Sequence, residues 1–275
     1  MSAGTVRLTA GDAALVVAPA QGGRWTSLHV GGHELLGGAA LDGVPPASLS
    51  GCFAMAPYAG RVRDGRFGFR GRTHTLPRTA PPNAIHGTVL DVPWTLVDAG
   101  GSACVLERDL GPDWPYAGTV RQHLELTEQG LAAELVLHAG EQMPATLGWH
   151  PWFPRRLATG GPVGLLAEPG RRYLRDGGGL PTGELGDPPA PPYDDCVTGL
   201  AAPPVVRWPG ALELELSSRA ATCWVLYDQL PEALCVEPQT GPPDALNLGR
   251  ADVVPAGGRL GLDLQLRWRQ LQAGR

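Results

Sequence analysis

The sequence predicts an all-β protein, an antiparallel β-sandwich of two layers. Three observations predict it. Apolar and polar residues alternate with a period of two through several segments, as in strands that face a core on one side and water on the other. Turn-forming residues are spread along the whole chain, 39 glycines and 28 prolines among 275 residues, so the apolar runs are short and repeatedly interrupted. No segment carries helical periodicity beyond a turn or two, which favours a sandwich over an α/β sheet.

Taken in chain order, Asp64-Gly65 between Arg63 and Phe67 marks a tight turn. Val120 to Thr127 and Leu131 to His138 alternate cleanly on either side of a short turn ending in Gly130, a hairpin signal. Ala211 to Leu216 and Arg259 to Trp268 alternate in the same way, and Cys223 to Tyr227 reads as a buried strand. Residues 159–192, with Gly177-Gly178-Gly179 and a proline-rich run from Pro188 to Pro192, are expected to form a long surface loop. The strands on both sides of it have the same character, so a single domain over 1–275 is expected.

Composition narrows the function. Hydrophobic residues make up 43% of the chain, enough for a substantial core, and the net charge is −5. Neither nucleic acid nor a membrane surface is expected as a partner, because either would call for a basic face. All 22 cationic side chains are arginine, which excludes Schiff-base lysine chemistry and a P-loop lysine. The five cysteines are widely spaced with no C-x-x-C, so neither a zinc knuckle nor a redox pair is signalled. All but Cys196 sit in apolar runs and read as small buried hydrophobes, which points to a reducing compartment. The apolar run Ala13 to Ala18 is shorter than the roughly 7–15 residues of a signal-peptide core. A cytoplasmic location is the expectation.

Two of the seven histidines stand out. His86 lies in a turn bounded by Pro81-Pro82 and Gly87, and His150 is wedged among Trp149, Trp152, Phe153 and two prolines. Such rings offer flat apolar faces on which a sugar can stack, or they plug a core around a hydrogen-bonded histidine. Glu237 ends the apolar run Leu234-Cys235-Val236 and is followed at once by Pro238. A carboxyl at the close of a buried strand is costly as an anion, and its pKa should rise toward that of a neutral-pH general base. Asp194-Asp195 is a second acidic site, where adjacent like charges need solvent or partners. No nucleophile elbow, zincin, Walker A or dinucleotide fingerprint occurs.

Together these segments resemble the aldose 1-epimerases, the galactose mutarotase family. Four blocks carry the resemblance in the family's order: Ala59 to Phe67, Asn83 to Gly87, Gly148 to Phe153 and Val236 to Asn247. The opening Gln21-Gly22-Gly23-Arg24 and Gly32 to Leu36 are similar to the family's first hairpin. Gly60 departs from the pattern, standing where many members have an asparagine. The resemblance implies a galactose mutarotase-like supersandwich acting on a small-molecule monosaccharide, without cofactor or metal, as a monomer or homodimer. It implies Glu237 as general base and His150 as general acid, on opposite sides of the ring. It further implies Arg61, His86 and Asp194 (less so Asp195) as groups holding the sugar. The activity implied is interconversion of α and β anomers. Two alternatives stay open: a hexose-phosphate epimerase, suggested by Arg61, Arg63, Arg66, Arg70 and Arg72, and a non-catalytic sugar-binding module.

Overall fold

A computed structural model describes residues 4–38 and 49–271 of the chain. They form an eleven-stranded sheet and an eight-stranded sheet, with three small two-stranded ribbons, and every strand pairs antiparallel. Among the described residues the helical content is one short turn, Ala245–Leu248, plus 3-10 turns such as Arg63–Gly65, where Asp64 takes a positive φ of 53°. The expected all-β sandwich is what the chain forms.

The smaller sheet is built around the predicted hairpin. Gly118–Thr127 pairs with Gly130–Ala139, and Thr127 sits opposite Gly130. Arg259–Gln270 runs beside it, followed by Leu212–Ser217. Alternation assigns their faces: Val120, Leu124, Leu135, Leu214, Leu262 and Leu264 are buried, whereas His138 and Glu125 are exposed. The larger sheet supplies Leu8, Leu15, Trp25, Leu28, Trp149, Phe153 and Val236 to the same core. Each such side chain contributes about 1.5–3 kcal/mol on burial.

At the centre of the larger sheet, Cys52–Met55, Gly148–Pro154, Ala233–Gln239, Cys223–Tyr227 and Asp194–Thr198 lie side by side in that order. Ala233–Gln239 is buried along its whole length and Gly148–Pro154 nearly so. These strands do not alternate in sequence because both of their faces are covered. One face packs on the second sheet. The other carries a separate cluster with Phe53, Met55, Trp152 and Cys235.

Residues 159–192 are not one long loop. Gly164–Leu166 joins the edge of the smaller sheet, and Arg171–Arg175 pairs with Pro181–Gly186 to extend the larger one. Gly177-Gly178-Gly179 lies in the bend between them. Arginines at the exposed positions of Arg171–Arg175 leave Tyr173 as its one buried residue, which hides the strand from an apolar-periodicity reading. All five cysteines are free and buried, Cys196 included. Among the described residues no helix is long and apolar enough to cross a membrane.

Candidate active site

Strand pairing brings the two central groups together. Gly148 pairs with Gln239 and Trp152 with Cys235, which sets position 150 opposite position 237. Pro151 and Pro238 lie between those pairs and supply no ladder N–H. His150 Nε2 stands 3.3 Å from Glu237 Oε1, with both side chains buried. The two groups are therefore in contact, not on opposite sides of a ring. Residues directly opposite on neighbouring antiparallel strands have Cβ atoms only about 4.5–5.5 Å apart, too close to admit a pyranose.

The contact belongs to a row across the outer face of the sheet. His150 pairs with Phe53, Glu237 with Val225, and Val225 with Cys196. Trp25 pairs with Cys52, so Arg24 extends the row beside Phe53, with its guanidinium 4.8 Å from that ring's centre. The His150 ring is stacked between Phe53 at 4.5 Å and Trp152 at 5.2 Å, and His86 meets it edge-on at 5.0 Å. Trp149 and Phe153 point the other way, into the core between the sheets. Trp152 is itself only 3% exposed, so the aromatic cluster walls the imidazole and offers no open stacking platform.

These surroundings fix the charges. Burial, before any other cause, pushes the Glu237 carboxyl up to about 8, against hydrogen bonds from Cys235 and Gln239 and the charge of Arg61. Burial likewise drives His150 well below the usual imidazole range, helped by His86 and Arg24. His86 falls to about 3 for the same first reason, with Arg61 adding to it. At neutral pH the pair is thus a neutral carboxyl against a neutral imidazole, holding one transferable proton between them. Gln239 Nε2 donates to Glu237 Oε2 at 3.1 Å, which turns Oε1 toward the histidine.

His86 and Arg61 enter from a small ribbon in which Arg61 pairs with Ile85. The His86 N–H donates to Gly60 O at 2.9 Å, and the Asp244 N–H donates to Arg61 O at 2.6 Å. His86 has a φ of +62°, a strained conformation for a non-glycine residue. Gly87 follows at φ +82°, and a Cβ there would stand 1.9 Å from Ala56 O. Arg61 is exposed. Nδ1 of both His86 and His150 is buried without a hydrogen-bond partner in the protein, a cost that a polar ligand or solvent would offset.

Asp194 pairs with Tyr227, and Tyr227 with Cys235, so Asp194 shares the outer face with Glu237. Asp195 sits opposite Leu226 and takes the other phase. The adjacent acids are tolerated because the 171–186 hairpin supplies their partners: Arg175 to Asp194 at 2.9 Å and Arg172 to Asp195 at 3.7 Å. The arginine run 61–72 does not converge. Arg63 is held by Asp176 at 2.7 Å and Asp244 at 3.4 Å. Arg70 and Arg72 instead line a separate cavity of about 440 Å³ with Phe69, His74, Tyr116 and Glu141. Arg24, Phe53 and Cys235 also lie around the pair without standing out in the sequence; only the period-two spacing of 235, 237 and 239 signals the thiol.

A family model described as aldose 1-epimerase matches residues 4–216. The chain belongs to the aldose 1-epimerase family. Its fold is shared with a candidate aldose 1-epimerase from Escherichia coli K12, at TM-score 0.84 and 20% identity, covering 98% of this chain and 99% of that one. A galactose mutarotase-like protein from Clostridium acetobutylicum superimposes at TM-score 0.82 and 16% identity, over 96% and 95% of the two chains. The uncharacterized protein YphB of Escherichia coli is 27% identical over 111 residues, 39% of this chain and 38% of that protein. Within this epimerase family the glycine at position 60 has a local cause. It takes a φ of +65°, and a Cβ would meet Pro243 at 2.8 Å, so a side chain there is crowded out.

Proposed function

We propose that the chain is an aldose 1-epimerase in activity as well as family, interconverting the α and β anomers of a free aldose. The observation that carries this reading is the buried His150–Glu237 contact at 3.3 Å. Mutarotation needs one acid and one base acting on two oxygens bonded to the same carbon. Adjacent groups reach both from one edge of the ring.

In the working form the shared proton has moved from Glu237 to His150. The carboxylate then takes the proton of the anomeric hydroxyl while the imidazolium protonates the ring oxygen. The bond between C1 and the ring oxygen breaks, leaving an open-chain aldehyde. Rotation about C1–C2 and reclosure on the other face return both protons and give the opposite anomer. Proton transfers of this kind contribute roughly 10²–10⁴-fold each, and free sugars already open slowly in water, so two such groups suffice. His86 and Arg61 are assigned as donors to the ring oxygen and nearby hydroxyls. Asp194 is assigned as an acceptor for sugar hydroxyls, which requires it to share or release Arg175.

The test is polarimetry on freshly dissolved single anomers of glucose, galactose, xylose and arabinose. Faster relaxation of at least one is expected. If all four relax at the uncatalysed rate while the protein still binds sugar, the chain is a sugar-binding module and the reading fails.

A further inference from the structure

The mechanism leaves one buried nucleophile beside the pair unused. Cys235 lies two residues from Glu237 on the same strand and the same face, with its thiol close to the Glu237 carboxyl. The ligating atoms of His150, Cys235 and Glu237 all fall within 4.8 Å of one another, and all three residues are buried. Among the described residues this is the one group of three or more such side chains gathered so closely.

The donor set suits a small thiophilic cation. Ligand atoms roughly 2.0–2.3 Å from a tetrahedral Zn²⁺ stand roughly 3.3–3.6 Å apart. The His150 Nε2 to Glu237 Oε1 distance is 3.3 Å, already at that value, whereas the three atoms together lie within 4.8 Å, so binding must draw the Cys235 sulfur inward. One imidazole, one thiolate and one carboxylate are the donor types that zinc accepts, and with three protein ligands the fourth position stays open. Gln239 holds the far carboxylate oxygen at 3.1 Å, which leaves Oε1 directed at the histidine in the way outer partners orient metal ligands.

Charge favours it too. An anionic carboxylate and an anionic thiolate are each costly in this buried site, but a divalent cation cancels both. On binding, the thiol gives up its proton to solvent, as does the carboxyl when it is protonated.

We propose that His150, Cys235 and Glu237 form an inhibitory site for Zn²⁺ or a chemically similar thiophilic divalent cation. The bound ion occupies the lone pairs that the proposed proton shuttle uses, so it stops turnover. Metal binding rests on the three ligand atoms alone, whereas the inhibition also rests on the mutarotase reading.

The experiment titrates the EDTA-treated full chain with Co²⁺ as a spectroscopic substitute, then measures Zn²⁺ inhibition of mutarotation relative to each protein's own metal-free rate. Wild type should give a thiolate-to-cobalt charge-transfer band saturating at one equivalent, together with tetrahedral d–d bands. In Cys235→Ala and Cys235→Ser the band should vanish, and Zn²⁺ inhibition should weaken by about 100-fold or more, beyond the loss usual for an outer partner. The Ser variant nearly preserves side-chain volume, so a fold defect confined to Ala is recognised. Absence of the band in wild type, or its persistence in both variants through Cys196 or Cys223, overturns the site. A band without inhibition overturns the blocking of turnover. A preparation inactive even without metal counts against the mutarotase reading, and the cobalt spectrum still decides the site.

Discussion

Replacing Glu237 by glutamine tests the burial and the protonation of the site in one measurement. The carboxyl is 4% exposed, and burial raises it from 4.5 to about 8 in the folded protein. In the unfolded chain it ionises from about 4.5 upward. Between those values the folded state holds a proton that the unfolded state has lost. Stability therefore falls as pH rises through this window and levels off above about 8. His150 and His86, depressed from 6.5, act in the opposite sense, losing stability as pH falls below 6.5. Both histidines are shared by wild type and variant, so the comparison isolates the carboxyl. At about 1.4 kcal/mol per pH unit, the titration of the carboxyl between pH 6.5 and 8 costs wild type roughly 2 kcal/mol. Glutamine does not titrate, and its amide retains hydrogen-bonding capacity toward His150 and Gln239. The variant should therefore gain about 2 kcal/mol on wild type across the window, roughly 4 °C in Tm for a chain of this length. Calorimetric scans of both proteins at pH 6.5, 7.25 and 8, at one ionic strength, measure the difference. Parallel Tm profiles would refute a protonated, buried Glu237.

Three further outcomes are expected. His150→Asn should lower kcat by at least about 100-fold, one lost proton-transfer catalyst, as read from polarimetric traces after subtracting the uncatalysed rate; near-native turnover would remove His150 from the reaction. Because the pair carries a single transferable proton, kcat/KM should drop about tenfold per unit above pH 8, as that proton is lost. A profile still climbing at pH 9 would assign the acid to some other group. Gly87→Ala should destabilise the fold by about 3 kcal/mol or more, since a positive φ and a clash with Ala56 O are combined there; an unchanged urea midpoint would show that the turn adapts.

Much of the architecture was legible because alternation is a local property. The 118–139 hairpin, Leu212–Ser217, Cys223–Tyr227 and Arg259–Gln270 each announce their inner and outer faces within a few residues. Where both faces are covered, as in Gly148–Pro154, or where arginines occupy an exposed edge, as in Arg171–Arg175, that signal fades. His150, Glu237 and His86 were also visible, since a titratable group in an apolar or proline-bounded setting is conspicuous by its cost.

What the chain order alone determined, then, was an all-β fold and the residue types available for proton transfer. Tertiary pairing decided their relation. Positions 150 and 237 become neighbours only because two central strands lie side by side in register. It also decided which phase of Trp149, Trp152 and Phe153 faces the histidine, and which of Asp194 and Asp195 shares its face. The protonation of the pair was settled at the same level, because desolvation depends on everything packed around a group, and here that packing comes from strands distant in the chain.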